Sequence, residues 1–284
     1  EDDVLQKAQQ NLERGSMISL GAFGGYMVAE FDRPLANAEG YDLIILGNAF
    51  ATSAEPGIVM VSRDANQNGI ADDRWYEIAG SEYARSTQNY EITYYRPEAD
   101  KDTLKELKEY IRWSDNQGNS GWVSKNATHL QGYYPAWSDA DSLTFKGTLL
   151  PTNSIDKNGD GSYFELKPYE WGYADNQPNS NEAGCSIDLD WAVDNAGNAI
   201  ELEAIDFIRI HTAINAVDLG QIGEASTEIS AIRALHNETI EEKDEIVFDI
   251  NSMIEQQNIT FNNQDVWDKT FNDSIKYQSF GNGT

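Results

Sequence analysis

Short runs of alternating apolar and polar residues fill most of this chain, divided by Gly, Asn and Asp. The first segment is different. "DDVLQKAQQNL" (Asp2–Leu12) places Val4, Leu5, Ala8 and Leu12 at helical spacing and predicts a short helix. From Ser16 the period becomes strand-like in "SMISLGAFGGYMVAEFD", and "YDLIILGNAF" (Tyr41–Phe50) reads as one continuous apolar strand. "GIVMVS" (Gly57–Ser62) and "RWYEIA" (Arg74–Ala79) read as the two arms of a hairpin, and "NYEITYYRP" alternates until Pro97 stops it. "DTLKELKEYIRW" (Asp102–Trp113), with Leu104, Leu107 and Ile111 on one side, predicts the one internal helix. Strands are expected again in "SLTFKGTLLP", "GSYFELKPYEWGY", "CSIDLDWAVD" and "AIDFIRIHT". Short strands joined by Asn/Gly/Asp turns predict an all-β fold, a sandwich or barrel with a short helical insertion. No fixed-period repeat is visible, which argues against a propeller or solenoid.

The pattern also divides the chain. Residues 1–15 form a helical lead-in and 16–236 the β domain. "NETIEEKDE" (237–245) is a charged linker, and 246–284 begins a second β-rich unit. Roughly 40 residues is marginal for a separate core without disulfides, so that unit is expected to be truncated or packed on the first.

Composition narrows the partners. A formal net charge of -28 and a pI near 4.2 make nucleic acid and anionic membrane surfaces poor partners, because phosphate binding relies on Lys and Arg. Such a surface suits divalent cations, neutral ligands such as sugars, and plain solubility. The 1 Cys, Cys185, excludes an intrachain disulfide and fits the cytosol or an exported bacterial protein stapled by cations. No apolar stretch reaches membrane-spanning length, so direct membrane insertion is not expected. The chain opens at Glu1 inside its predicted helix, and a removed upstream signal sequence is the expectation.

Candidate chemistry begins in the hairpin loop "SRDANQNGIADDRWYEI". Asp64, Asn66, Asn68, Gly69 and Asp72 follow the D-x-[DN]-x-[DN]-G-x-x-D spacing of a calcium loop, and the carbonyl of Ile70 completes the oxygen set. Trp75 stands where an EF-hand needs Glu and the flanks are strands, so a structural Ca2+ at a hairpin tip is expected, with a dry Asx-turn as the alternative. "DKNGDGSYF" offers Asp156, Asn158, Asp160 and Gly161 but has Phe164 at the ninth position, which favours a tight turn. "VDNAGNAI" reads as a simple hairpin turn.

Three loop-like stretches mix aromatic rings with amide side chains. They supply Trp113, Asn116 and Trp122, then Tyr133, Tyr134 and Trp137, then Trp171, Tyr173, Asp175 and Asn176. Flat apolar faces beside amide donors and acceptors suit a sugar or another large polar ring. Core anchoring at strand ends is the competing reading for each Trp. Catalysis has little support. The 3 His lack metalloprotease spacing, there is no nucleophile elbow, and Asp188 and Asp190 share a strand face as most solvated pairs do.

With these residues in view, "ISLGAFGGYMVAEFDRPLANAEGYDLIILGNAF", "EPGIVMVSRDANQNGIADDRWYEIAGSEY" and "IDFIRIHTAINAVDLGQIGEASTEISAI" resemble successive strands of a galactose-binding-like jelly-roll β-sandwich. The stretch from Ser16 to His236, with "IRWSDNQGNSG" and "WGYADNQPN", resembles a family of gut Bacteroidetes cell-surface proteins, typically lipoproteins, and the segment after Glu245 resembles the start of a β domain of unknown function that often follows it. The resemblance implies an anchor upstream of this chain on the outer face of the outer membrane. Relatives occur in nutrient-capture systems, some implicated in vitamin B12 (corrinoid) capture. It therefore implies a non-catalytic module that captures a glycan or a corrinoid, with an outer-membrane transporter complex as an expected partner. By the same analogy Glu55, Glu224 and Glu228 form a second cation site. A glycan hydrolase using Asp175, Asp188 or Asp190 and a structural spacer or adhesion domain remain the alternative readings.

Overall fold

A computed structural model describes residues 2–98, 107–125, 132–161, 163–216 and 225–236. The chain opens with helix α1 (Asp2–Glu13), as its period predicts, and turns into strand β1 (Ile18–Ser19). The long β2 (Tyr26–Ala36) is followed by β3 (Leu43–Leu46), and β4 (Gly57–Ser62) and β5 (Trp75–Ile78) are the two hairpin arms. Next come β6 (Thr87–Tyr95), β7 (Leu107–Asp115), β8 (Ser120–Lys125) and β9 (Ser142–Leu149). A small hairpin, β10 (Ser154–Asp156) with β11 (Phe164–Leu166), precedes the one-turn helix α2 (Glu182–Cys185). Strands β12 (Ser186–Ile187), β13 (Ala192–Val193), β14 (Ala204–Thr212), β15 (Glu228–Ile229) and β16 (Ala231–Ala234) complete the described order.

The fold is all-β, built from antiparallel sheets. Five strands lie in the order β13-β5-β4-β14-β2, four in the order β8-β7-β6-β9, and three in the order β12-β3-β16. Strand β14 sits between β4 and β2 and is buried almost throughout, which is why "AIDFIRIHT" is so apolar. Its Ile205, Ile208 and Ile210 pack with Val59, Val61, Met27 and Ile78, and with Leu43, Ile45 and Ile187 from the three-stranded sheet. Each such side chain contributes about 1.5–3 kcal/mol on burial. The register of β2 against β14 shifts between Ile205 and Phe207, and Pro34, which has no N–H for the ladder, falls in the shifted stretch.

The four-stranded sheet carries a second, aromatic core made of Phe23, Tyr90, Tyr94, Tyr110, Trp113, Tyr133 and Tyr134 with Ile92 and Ile111. It meets β14 closely: a Cβ on Gly147 of β9 would stand 2.7 Å from His211 Nε2.

Three expectations are corrected. The helix expected over 102–113 is strand β7 from Leu107 onward, while 102–106 lie outside the described residues. Ile111 pairs with Val123 and Trp113 with Gly121, and exposed Arg112 stacks over Tyr95, so alternation and cross-strand pairing override the leucine spacing. "CSIDLDWAVD" is not one strand but α2, β12, a 3-10 turn over Leu189–Trp191, and β13. Asp188 and Asp190 therefore do not line one strand face; the Asp188 carboxylate caps the Asp190 N–H at 2.9 Å. The strand expected over 41–50 contracts to Leu43–Leu46. The linker at 237–245 and the unit at 246–284 lie outside the described residues.

Candidate metal centre

Three carboxylates from distant parts of the chain converge. Glu55 lies just before β4, Asp175 in the loop leading to α2, and Glu228 on β15. Each offers an oxygen within 4.8 Å of the others, the one such cluster among the described residues. Antiparallel pairing assembles them. Glu228 stands opposite Ser19 of β1, the Glu55 N–H donates to the Asp175 carbonyl at 3.1 Å, and Gly57 and Ala174 bridge the two segments.

Asp175 is the keystone. It is 2 % exposed and holds a left-handed backbone (φ 49), which costs a residue with a Cβ. Its Oδ1 accepts from the Asn48 N–H at 2.8 Å and its Oδ2 from the Glu228 N–H at 2.9 Å, binding two strands to one carboxylate. Only glycine fits at position 47, where a Cβ would fall 2.2 Å from Asp175 Oδ1. Asn179 fixes that glycine by accepting from its N–H and donating to its carbonyl. The Glu55 Oε1 accepts from the Ser226 N–H at 3.0 Å.

Electrostatics make the cluster costly without a counter-charge. Burial, then the charges of Glu55 and Asp175, push Glu228 well above the ordinary carboxylate range. Burial pushes Asp175 up as well, against the backbone N–H groups that hold its charged form. Glu228 Oε2 is buried without a hydrogen-bond partner. Three hard oxygen donors with one unsatisfied oxygen fit a divalent cation of the calcium or magnesium class.

The hairpin loop at the β4–β5 tip is built otherwise. Asp64 accepts from the N–H groups of Asn68 at 3.1 Å and Gly69 at 2.8 Å, and Asn66 Oδ1 accepts from the Asn68 N–H at 3.0 Å. Asn68 Oδ1 accepts from the Ile70 N–H while its amide nitrogen donates to Asp72, and the Ile70 carbonyl accepts from the Asp72 N–H. Gly69 takes the positive φ (67) that the turn requires. The loop around Asp156 repeats this scheme, with Gly159 and Gly161 N–H groups on its carboxylate, although it has no ninth-position acid. Asx-bonding alone thus accounts for the geometry of both loops. Of the acids named by analogy for a second site, Glu55 and Glu228 are in the buried cluster, and Glu224 lies outside the described residues.

Most of the aromatic and amide candidates have structural work. Tyr133 packs edge-on against Tyr110, and Tyr134 donates to the Ala140 carbonyl beneath the Arg96 guanidinium. Tyr173 is buried and its hydroxyl accepts from the Glu82 N–H, while Asn176 clamps the N–H and carbonyl of Tyr169. Trp171 stacks on Trp191, and Asn116 ties the β7–β8 turn to the Asn89 carbonyl. Trp122 and Trp137 keep exposed rings, at 37 % and 42 %. Trp122 and the buried Trp113, with Phe23 and Asn215, line a shallow surface depression. The signal missed in the sequence was the joining of Asp175, read as a ligand contact, to Glu55 and Glu228. No family model matches the chain, and no curated protein matches it either.

Proposed function

We propose that this chain is a non-catalytic ligand-binding module of a bacterial cell surface, with its sandwich stapled by a resident divalent cation, calcium by preference. The observation that carries the reading is the Glu55–Asp175–Glu228 cluster, two of its carboxylates buried and Glu55 half-buried, whose crowded negative charge a divalent ion would satisfy. The ligand, a glycan or a corrinoid, would lie on the surface around Trp122, whose indole is partly exposed at the rim of the depression that Trp113 and Asn215 also line. Capture for an outer-membrane transporter requires affinity without turnover, which agrees with Asp188 and Asp190 being spent on a turn cap and on Asn37. The test is calorimetry with calcium present against a glycan panel and cobalamin. Binding to one of them that weakens at least about tenfold in Trp122→Ala supports the reading. Heat from none of them, with the calcium response intact, leaves a cation-stapled spacer.

A further inference from the structure

We propose that Glu77 joins the five- and four-stranded sheets as a protonated carboxylic acid, so that loss of one proton loosens the sandwich. Glu77 lies on β5, its partner Thr148 lies on β9 of the opposite sheet, and Thr148's second partner Gln88 lies on β6. Thr148 Oγ1 is 2.5 Å from Glu77 Oε2 and 2.8 Å from Gln88 Oε1. A threonine hydroxyl carries one proton and these two neighbours are both acceptors, so one of the three must bring another hydrogen. A protonated Glu77 resolves the conflict: it donates to Thr148, and Thr148 donates to Gln88. Turning the Gln88 amide round frees Thr148 to donate to Glu77, yet Glu77 Oε1 stays buried without a partner. A carboxylate there would have one neutral donor and, among the described residues, no cation paired with it.

The surrounding charges agree. Among the described residues, Tyr83 and Tyr173 feel the charge of Glu77, with Asp194 beyond Tyr83. Arg209 and His211 share its sheet face on β14; the first lies over Tyr26 at 4.2 Å, and burial holds the second neutral, its pKa lowered to about 3. Arg74 stands over Tyr76, and Lys146 of β9 pairs with Glu91. Burial pushes Glu77 up to about 7, with the Thr148 hydrogen bond pulling the other way. A folded-state value above the ordinary 4.5 means the contribution is complete below pH 4.5 and is lost as pH rises towards 7, with little change beyond.

Melting of the full chain and of Glu77→Gln from pH 4.5 to 8.5, with calcium in excess, tests this independently of the cation reading. The amide supplies the acid's hydrogen without titrating. The wild-type Tm should fall relative to the variant by on the order of 5 °C between pH 4.5 and 7.5, then hold level. A difference that does not change with pH overturns the proposal. Carboxyl-carbon NMR of the wild-type chain needs no variant and decides the matter if Glu77→Gln does not fold. Glu77 should be protonated at pH 6 and ionised by pH 8.5, and a carboxylate signal at pH 6 overturns the proposal.

Discussion

The β4–β5 loop and the Glu55–Asp175–Glu228 cluster are both acidic, yet they resolve their charge in opposite ways. The loop is written within nine residues, sits largely in water, and turns its side chains onto its own backbone N–H groups. The cluster draws on residues 120 and 53 positions apart, Glu55 to Asp175 and Asp175 to Glu228, and holds Asp175 and Glu228 buried with Glu55 half-buried beside them, where water screens their repulsion less. A local spacing motif reports how a loop can turn, and the Asp156 loop shows the same turn without the full ligand pattern. A shortage of hydrogen-bond donors around buried carboxylates is the stronger pointer to an ion, because desolvation makes it costly.

The largest effect is expected at Asp175. Asp175→Ala leaves the Asn48 and Glu228 N–H groups without their carboxylate and opens a void against Gly47. It should cost about 3 kcal/mol, or about 8 °C in Tm, in urea and thermal melts with calcium present. A loss no larger than that of a loop substitution would erase the contrast between the two regions.

Cation removal comes next. An ion held only by the folded chain adds about 2.7 kcal/mol at a hundredfold excess over Kd, so chelation should lower Tm by about 7 °C. Glu228→Gln should remove most of that response, whereas Asp72→Asn should keep it. The reverse pattern in calorimetric calcium titrations would move the ion to the hairpin loop.

The same contrast explains what was legible in the sequence. Strand β6 follows from alternation and β4 and β14 from near-continuous apolar runs, because each one's pattern reports its own burial. Strand β7 was hidden because Leu104, Leu107 and Ile111 also fit a helical stripe, and only pairing with β6 and β8 settles Tyr110–Asp115 as strand. The burial of three aromatic candidates was hidden for a related reason. Tyr133, Tyr134 and Tyr173 stand in Gly/Pro-bearing stretches that look like surface loops, but the four-stranded sheet and the Tyr169 turn draw their rings inside. The carboxylate cluster was half legible through Glu55 and Glu228. Asp175 could join them only through a left-handed backbone that no spacing rule encodes.

The smallest effect should come from Asp64, and it probes the comparison from the other side. Its carboxylate receives the Asn68 and Gly69 N–H groups at the solvent edge, where water can replace it. Asp64→Ala should therefore cost about 1 kcal/mol, or about 3 °C in Tm. Amide exchange of Asn68 and Gly69 should quicken, while the calcium response stays within error of the wild type. If Asp64→Ala instead abolishes that response while Glu228→Gln spares it, the loop holds the ion. The buried carboxylates would then have to be neutralised by protons, the device already argued for Glu77.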